Sequence, residues 1–221
     1  MSSDAFAIDP SAQMPDADIW FALPPGFMPF PVERILAGEG TSGGEEHVGG
    51  PSAERLAVPD GSPGREHLVP PLAPVRRLTY MLAWTRVIHC SVGMHRDDEG
   101  GDSLLLSLFT LAWRETAWAP RSVTAARSAA AVSDAVHREI LDLPCGPGSL
   151  VETRVTPQVD GVTQELLQAT AYVPYPDARR LAILTLSTTA THHSDHYRNL
   201  LRETARMVTF DNPLPTHDGD V

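Results

Sequence analysis

The sequence predicts an α+β fold, an antiparallel β-sheet flanked by helices, and three stretches carry that prediction. Over residues 164–175, β-branched, aromatic and apolar residues alternate with polar ones until Pro174 and Pro176 end the run, the pattern of a half-buried strand. Residues 180–189 are almost continuously apolar or β-branched, which suits a central strand covered on both faces. Tyr197, Leu200, Leu201, Thr204, Ala205 and Val208 then recur at helical spacing, with Arg198, Arg202, Glu203 and Arg206 largely opposite, so an amphipathic helix should lie on those strands. Helices and strands segregate along the chain, without the regular alternation of a parallel α/β fold.

Residues 1–18 are polar and lack periodicity, and read as a mobile, disordered tail. Residues 19–23, IWFAL, suit a short strand ended by Pro24, Pro25 and Gly26. Phe27, Met28 and Phe30 form an apolar cluster that would be costly in water, so it should dock on the core or on a partner. Residues 31–37 suit the start of a short helix. Gly, Pro, Ser and Glu dominate residues 38–71, whose few apolar positions cannot offset chain entropy, and this stretch reads as a disordered insert. Leu72, Val75, Leu78, Met81 and Leu82 resume helical spacing. Near Trp84 that helix gives way to a strand over 86–94, a polar turn over 96–102 and a strand over 103–113, together a β-hairpin with an acidic tip. Pro120 opens a helix whose alanine-rich run through Val136 supplies strong propensity and small side chains that favour close packing. Residues 143–148, LPCGPG, break it, and 149–156 form a short strand. The expectation is one domain over 19–210 that contains the insert, followed by a loose tail over 211–221.

The formal charge of −11 argues against nucleic-acid phosphates or an acidic membrane surface as partners. All 17 basic residues are arginine. The chain therefore has no P-loop lysine, no Schiff-base lysine and no kinase-type phosphate lysine. Its two cysteines, Cys90 and Cys145, are too few for a disulfide framework. The opening residues MSSDAFAIDPSAQ lack the positive start and apolar run of a secretory signal, and no apolar run is long enough to span a bilayer. A cytoplasmic protein with reduced thiols is expected.

Phe21-Ala22-Leu23-Pro24-Pro25-Gly26-Phe27 is similar to the opening strand of PsbP-like proteins, which runs into a Pro-Gly-aromatic turn. The closing half, with two long strands, a helix after a Thr/Ser-rich turn and Val208-Thr209-Phe210-Asp211 returning toward the sheet, resembles the actinobacterial LpqN-type branch and the secreted-effector chaperones that share its fold. The resemblance implies a sheet flanked by helices used to bind another protein, and brings no catalytic residues. The chain departs from it in lacking a lipoprotein signal and in carrying the insert over 38–71.

Candidate chemistry is concentrated in Thr191-His192-His193-Ser194-Asp195-His196. If the helix already includes His192, then His192 and His196 lie one turn apart and offer two ligands to a transition metal. If Ser194 or Asp195 is the N-cap, His192 and His193 fall in the preceding loop. Asp97, Asp98, Glu99 and Asp102 offer oxygens to a hard cation but lack the spacing of a calcium loop. His89, Ser91, His95 and Asp97 share strand parity, which reads as a half-solvated strand face. Gly40-Thr41-Ser42-Gly43-Gly44 matches the serine-hydrolase elbow in letters only, without the required strand and helix. Cys145 has no protease signature around it and reads as a turn residue. Trp84, Trp113 and Trp118 should fill or edge the core, unless exposed, since exposed tryptophan is enriched at binding hot spots.

No residue is assigned a catalytic or cofactor-binding role. The leading expectation is a non-enzymatic protein-binding or accessory protein that uses a sheet face or exposed edge, with Trp20 and Phe27 as candidate partner-binding residues. The alternatives are a small metal-dependent or hydrolytic enzyme built on the histidine-rich turn, and a structural subunit that self-associates through its sheet edge.

Overall fold

The computed structural model describes residues 17–24, 26–29, 87–96, 104–156, 158–159, 162–163 and 165–213, all within one unit of the fold. The predicted insert over 38–71, the helix from Leu72, the acidic hairpin tip, and the end of the C-terminal tail lie outside the described residues. The elements are β1 (Phe27–Pro29), β2 (Val87–Arg96), β3 (Leu104–Glu115), α1 (Arg121–Ala130), β4 (Ala135–Leu143) and β5 (Gly146–Val155). There follow β6 (Gln158–Val159), β7 (Val162–Thr163), β8 (Leu166–Pro174), β9 (Arg180–Thr188), a 3-10 turn (Thr191–His193) and α2 (Ser194–Arg206). Seven strands form one sheet in the order β1-β2-β3-β9-β8-β5-β4, and every neighbouring pair is antiparallel. β6 and β7 pair separately. This is the predicted α+β class, weighted toward sheet.

The strands on which the prediction rested sit at the middle of that sheet. β9 is the fourth of seven and pairs with β3 on one side and β8 on the other. Its burial alternates, with Ala182, Leu184 and Leu186 fully buried while Ile183, Thr185 and Ser187 are only half-buried, so its two faces are not covered equally. Asp177 shapes the β8–β9 turn: its carboxylate accepts bonds from the backbone N–H groups of Arg179 (2.7 Å) and Arg180 (3.0 Å), a side-chain-closed turn of the Asx kind. Ala178 takes the left-handed conformation there, with φ of 58°. The predicted hairpin is also present, with β2 and β3 in register from Arg96↔Leu104 to His89↔Leu111 and on to Val87↔Ala112 across a bulge.

Two elements differ from expectation. The alanine-rich helix, expected to last until the LPCGPG break at 143–148, ends at Ala130, and residues 135–143 are strand β4 at the sheet's edge. Alanine propensity carries the helix only while small residues face β5, and the chain then turns at Ser133 and Asp134 into the ladder. Residues 19–23 form no strand of the sheet; Trp20 makes a single antiparallel bridge to Thr209, with N–H···O distances of 2.8 and 2.9 Å.

The helices lie on opposite faces, as strand parity shows. α1 receives the Ser149 hydroxyl on its Ala125 carbonyl (2.7 Å) and the Arg138 guanidinium on its Ala129 carbonyl (3.1 Å). α2 pairs Arg198 with Glu152 and Arg202 with Glu139, residues of opposite parity on the same two strands. The apolar core fills the α2 side. Phe109, Leu111, Leu150, Leu167, Leu184 and Leu186 from the sheet meet Tyr197, Leu201 and Ala205 of α2, and Ile19, Phe21 and Leu23 of the N-terminal segment join them. On the other face, Arg121 at the start of α1 donates to the carbonyls of Pro174 (3.0 Å) and Cys145 (2.5 Å). The guanidinium occupies the space a side chain would need at Gly146, whose φ of 120° also demands glycine.

Candidate functional site

β4 is the last strand of the sheet, and among the described residues it pairs only with β5. An end strand directs half of its backbone N–H and C=O groups away from its neighbour, and natural sheets protect such an edge or use it. Here the strand is fastened on both faces. On the α2 side, Glu139 is gripped by Arg202 through Nε (2.9 Å) and Nη2 (3.0 Å), and His137 Nε2 lies 3.5 Å from the same carboxylate. On the α1 side, Arg138 also donates to the carbonyls of Val132 and Ser133 beyond the helix end. On either side of these anchors, Ile140 is 65% exposed, and Val136 is 60% exposed at a bulge between Ala135 and His137. Large apolar residues thus point outward on an edge strand whose inward positions include His137 and Glu139. Burial of apolar area drives association, and among the described residues this inversion leaves an apolar, backbone-rich edge unpaired on its outer side.

The residues singled out by sequence fall elsewhere. Trp20 and Phe27 do not form an exposed groove: they are 2% and 6% exposed, and the fold uses them as core. The apolar segment docks on its own sheet because Phe27 pairs opposite Gly93 and Trp20 is tied to Thr209. His192 belongs to the 3-10 turn and His196 to α2, with His193 as N-cap and Ser194 the first helical residue, so the two histidines do not share one α-helical turn. The His192 and His193 rings pack against each other at a tilt of 45°, centroids 4.1 Å apart, and His196 meets Tyr197 edge-on. Among the described residues, no group of three or more His, Cys, Asp or Glu is placed to hold a metal ion.

His89 and Ser91 are buried, not half-solvated, and the His89 ring packs edge-on against Phe21 at 5.0 Å. The His95 side chain, Asp97, Asp98, Glu99, Asp102, Ser42 and Trp84 lie outside what is described. Cys145 sits half-buried in the tight β4–β5 turn, where burial pushes its thiol up and nearby Arg121 partly offsets that shift. Burial pushes Cys90 up to about 12, so neither thiol has the lowered pKa of a nucleophile.

Trp113 packs with Tyr175 and Phe210, and Arg180 lies over both Trp113 (5.3 Å) and Tyr175 (4.0 Å). A shallow depression of about 310 Å³ adjoins this cluster, lined by Ile88, Trp113, Arg114, Glu115 and Arg180. Arg180 is already paired with Asp177 and Asp18, which makes the cluster a structural fastening. Among the described tryptophans, Trp118 is the exposed one, at 69%. No helix among the described residues is long and apolar enough to cross a membrane. No family model, curated protein or solved structure matches the chain.

Proposed function

We propose that this chain is a non-enzymatic protein-binding or accessory module that takes an extended segment of a partner along the outer edge of β4. The observation that supports this reading is an edge strand that turns Ile140 and Val136 outward while Arg138, Glu139 and Arg202 hold it rigid. Strand addition of this kind draws affinity from main-chain hydrogen bonds and specificity from alternate side chains. A rigid edge also lowers the ordering cost of association. The bulge at Val136 ends the straight part of the edge, so the docking stretch is residues 137–143. A narrower form of the proposal, an accessory factor or chaperone for a secreted effector with a PsbP-like or LpqN-type fold, rests on the sequence resemblance alone.

The test is an affinity capture from native extract with the natural chain and with Ile140→Lys, a gatekeeper charge on an exposed position. A stoichiometric protein held by the natural chain and lost from the equally folded variant is the expected result. Retention unaffected by the substitution would remove β4 from the proposal. Near-stoichiometric transition metal in the eluate without a protein would instead redirect attention to His192 and His196.

A further inference from the structure

Resting on the reading of β4 as a docking edge, we infer that the segment it takes is β4 of a second copy of this chain, joined antiparallel about a dyad at Ile140. The straight part of the edge runs from His137 to Leu143, and Ile140 is its midpoint. A twofold axis through Ile140 therefore pairs the whole stretch with itself. The two Ile140 side chains meet at the centre, burying the most exposed apolar residue of the strand.

On the same face, Arg138 stands opposite Asp142 of the second copy, and the symmetry makes that opposite-charge pair twice. Arg138 and Asp142 are both exposed and share parity with Ile140. Directly opposed residues on an antiparallel pair lie within side-chain reach, so these pairs are favourable. The guanidinium has five donors; four go to the carbonyls of Ala129, Val132, Ser133 and Ala135, which orient it and leave one Nη1 N–H for the carboxylate of the second copy.

Neighbouring registers fail on the same residues. A dyad at Glu139 sets the two Glu139 carboxylates against each other, and a dyad at Leu141 sets Ile140 against Asp142 of the second copy. A dyad at Arg138 opposes two guanidinium groups. Self-complementarity about one axis is what an isologous interface requires. The arrangement would join two seven-stranded sheets into one, with both β4 edges removed from solvent.

The experiment is sedimentation velocity on the full chain over a wide concentration range, with Arg138→Asp, Asp142→Arg and an equimolar mixture of the two. The natural chain should dimerise. Each substitution alone opposes like charges twice and should weaken the dimer at least about tenfold. The mixture should restore it, because a heterodimer of R138D and D142R has opposite charges at both crossings. Folding damage from the loss of the Arg138 bonds would not be repaired by mixing, so restoration reports the register itself.

A mixture of two folded monomeric variants that stays monomeric would overturn the inference. A natural chain that is monomeric throughout, yet captures a different protein in an Ile140-dependent way, would overturn the second copy and leave the docking edge standing. A dimer indifferent to R138D, D142R and I140K would overturn the second copy at β4, and capture equally indifferent to I140K would sink the docking edge with it.

Discussion

Asp177 shows how one side chain can tie two strands to the segment that precedes β1. It closes the β8–β9 turn through backbone N–H groups and holds Arg180 at 2.9 Å, while Arg180 reaches on to Asp18 at 2.8 Å and lies across Tyr175. Burial works to raise the Asp177 carboxyl, but the bonds from the Arg179 N–H, the Arg180 side chain and the Arg180 N–H outweigh it, and the group sits below its ordinary range. A carboxyl lowered in the folded state adds stability above its unfolded value, near pH 4, and that contribution is lost as pH falls through the folded value. The melting temperature of the natural chain should therefore fall more steeply below about pH 4 than that of Asp177→Asn. Parallel curves would show that the turn contributes nothing through this charge, an outcome that the modest strength of exposed ion pairs makes worth testing. A break between these two strands is legible, because Pro174 and Pro176 end the first pattern before residue 180 opens the second. The left-handed Ala178 is not, since alanine carries no such preference and only closure of the ladder imposes it.

The elements owe their mutual position to paired charges as much as to apolar contact. Glu152, 3% exposed on β5, accepts from Arg198 at 2.5 Å, and Arg198 also binds Asp195 one turn earlier on α2. Arg198→Ala would strand a buried carboxylate and should cost about 3–5 kcal/mol in urea unfolding, whereas the apolar pair Glu152→Leu with Arg198→Met should recover most of it. A loss within about 0.5 kcal/mol for the single variant, typical of a surface position, would mean that water reaches Glu152 freely. The helical spacing of Tyr197, Leu201 and Ala205 made α2 readable, but nothing in spacing reveals that Arg198 and Arg202 lean back onto the sheet. β4 was missed for a related reason. Its inward residues begin with His137 and Glu139 and its outward ones include Val136 and Ile140, so the apolar alternation that marks a half-buried strand is reversed over its first half. Ion pairs to α2 make the reversal tolerable, and they exist only in the folded chain.

At the scale of the whole molecule, the segment before β1 and the stretch just after α2 close the core from one side. Trp20 bridges Thr209 just after α2, and Ile19, Phe21, Leu23 and Phe27 enter the same apolar cluster as Leu184 and Leu201. Trp20→Ala and Phe27→Ala should each destabilise by about 3–5 kcal/mol in chemical unfolding, while exposed Trp118→Ala should change stability little. Unchanged stability in the first two would return them to the surface and to partner binding. The amino-acid sequence by itself determined the fold class, the central β8–β9 pair, the β2–β3 hairpin and the amphipathic closing helix. Each of these follows from local periodicity, which a chain carries before it folds. It also determined, through the absence of lysine, that this chain supplies no Schiff-base lysine and no P-loop lysine. Only the tertiary structure decided that Trp20 and Phe27 are interior, that His192 and His196 are not paired on one helical turn, and that the outward-facing apolar strand is an edge. Those facts depend on which strands end as neighbours. Sheet order joins residues far apart in the chain, and no local pattern encodes it.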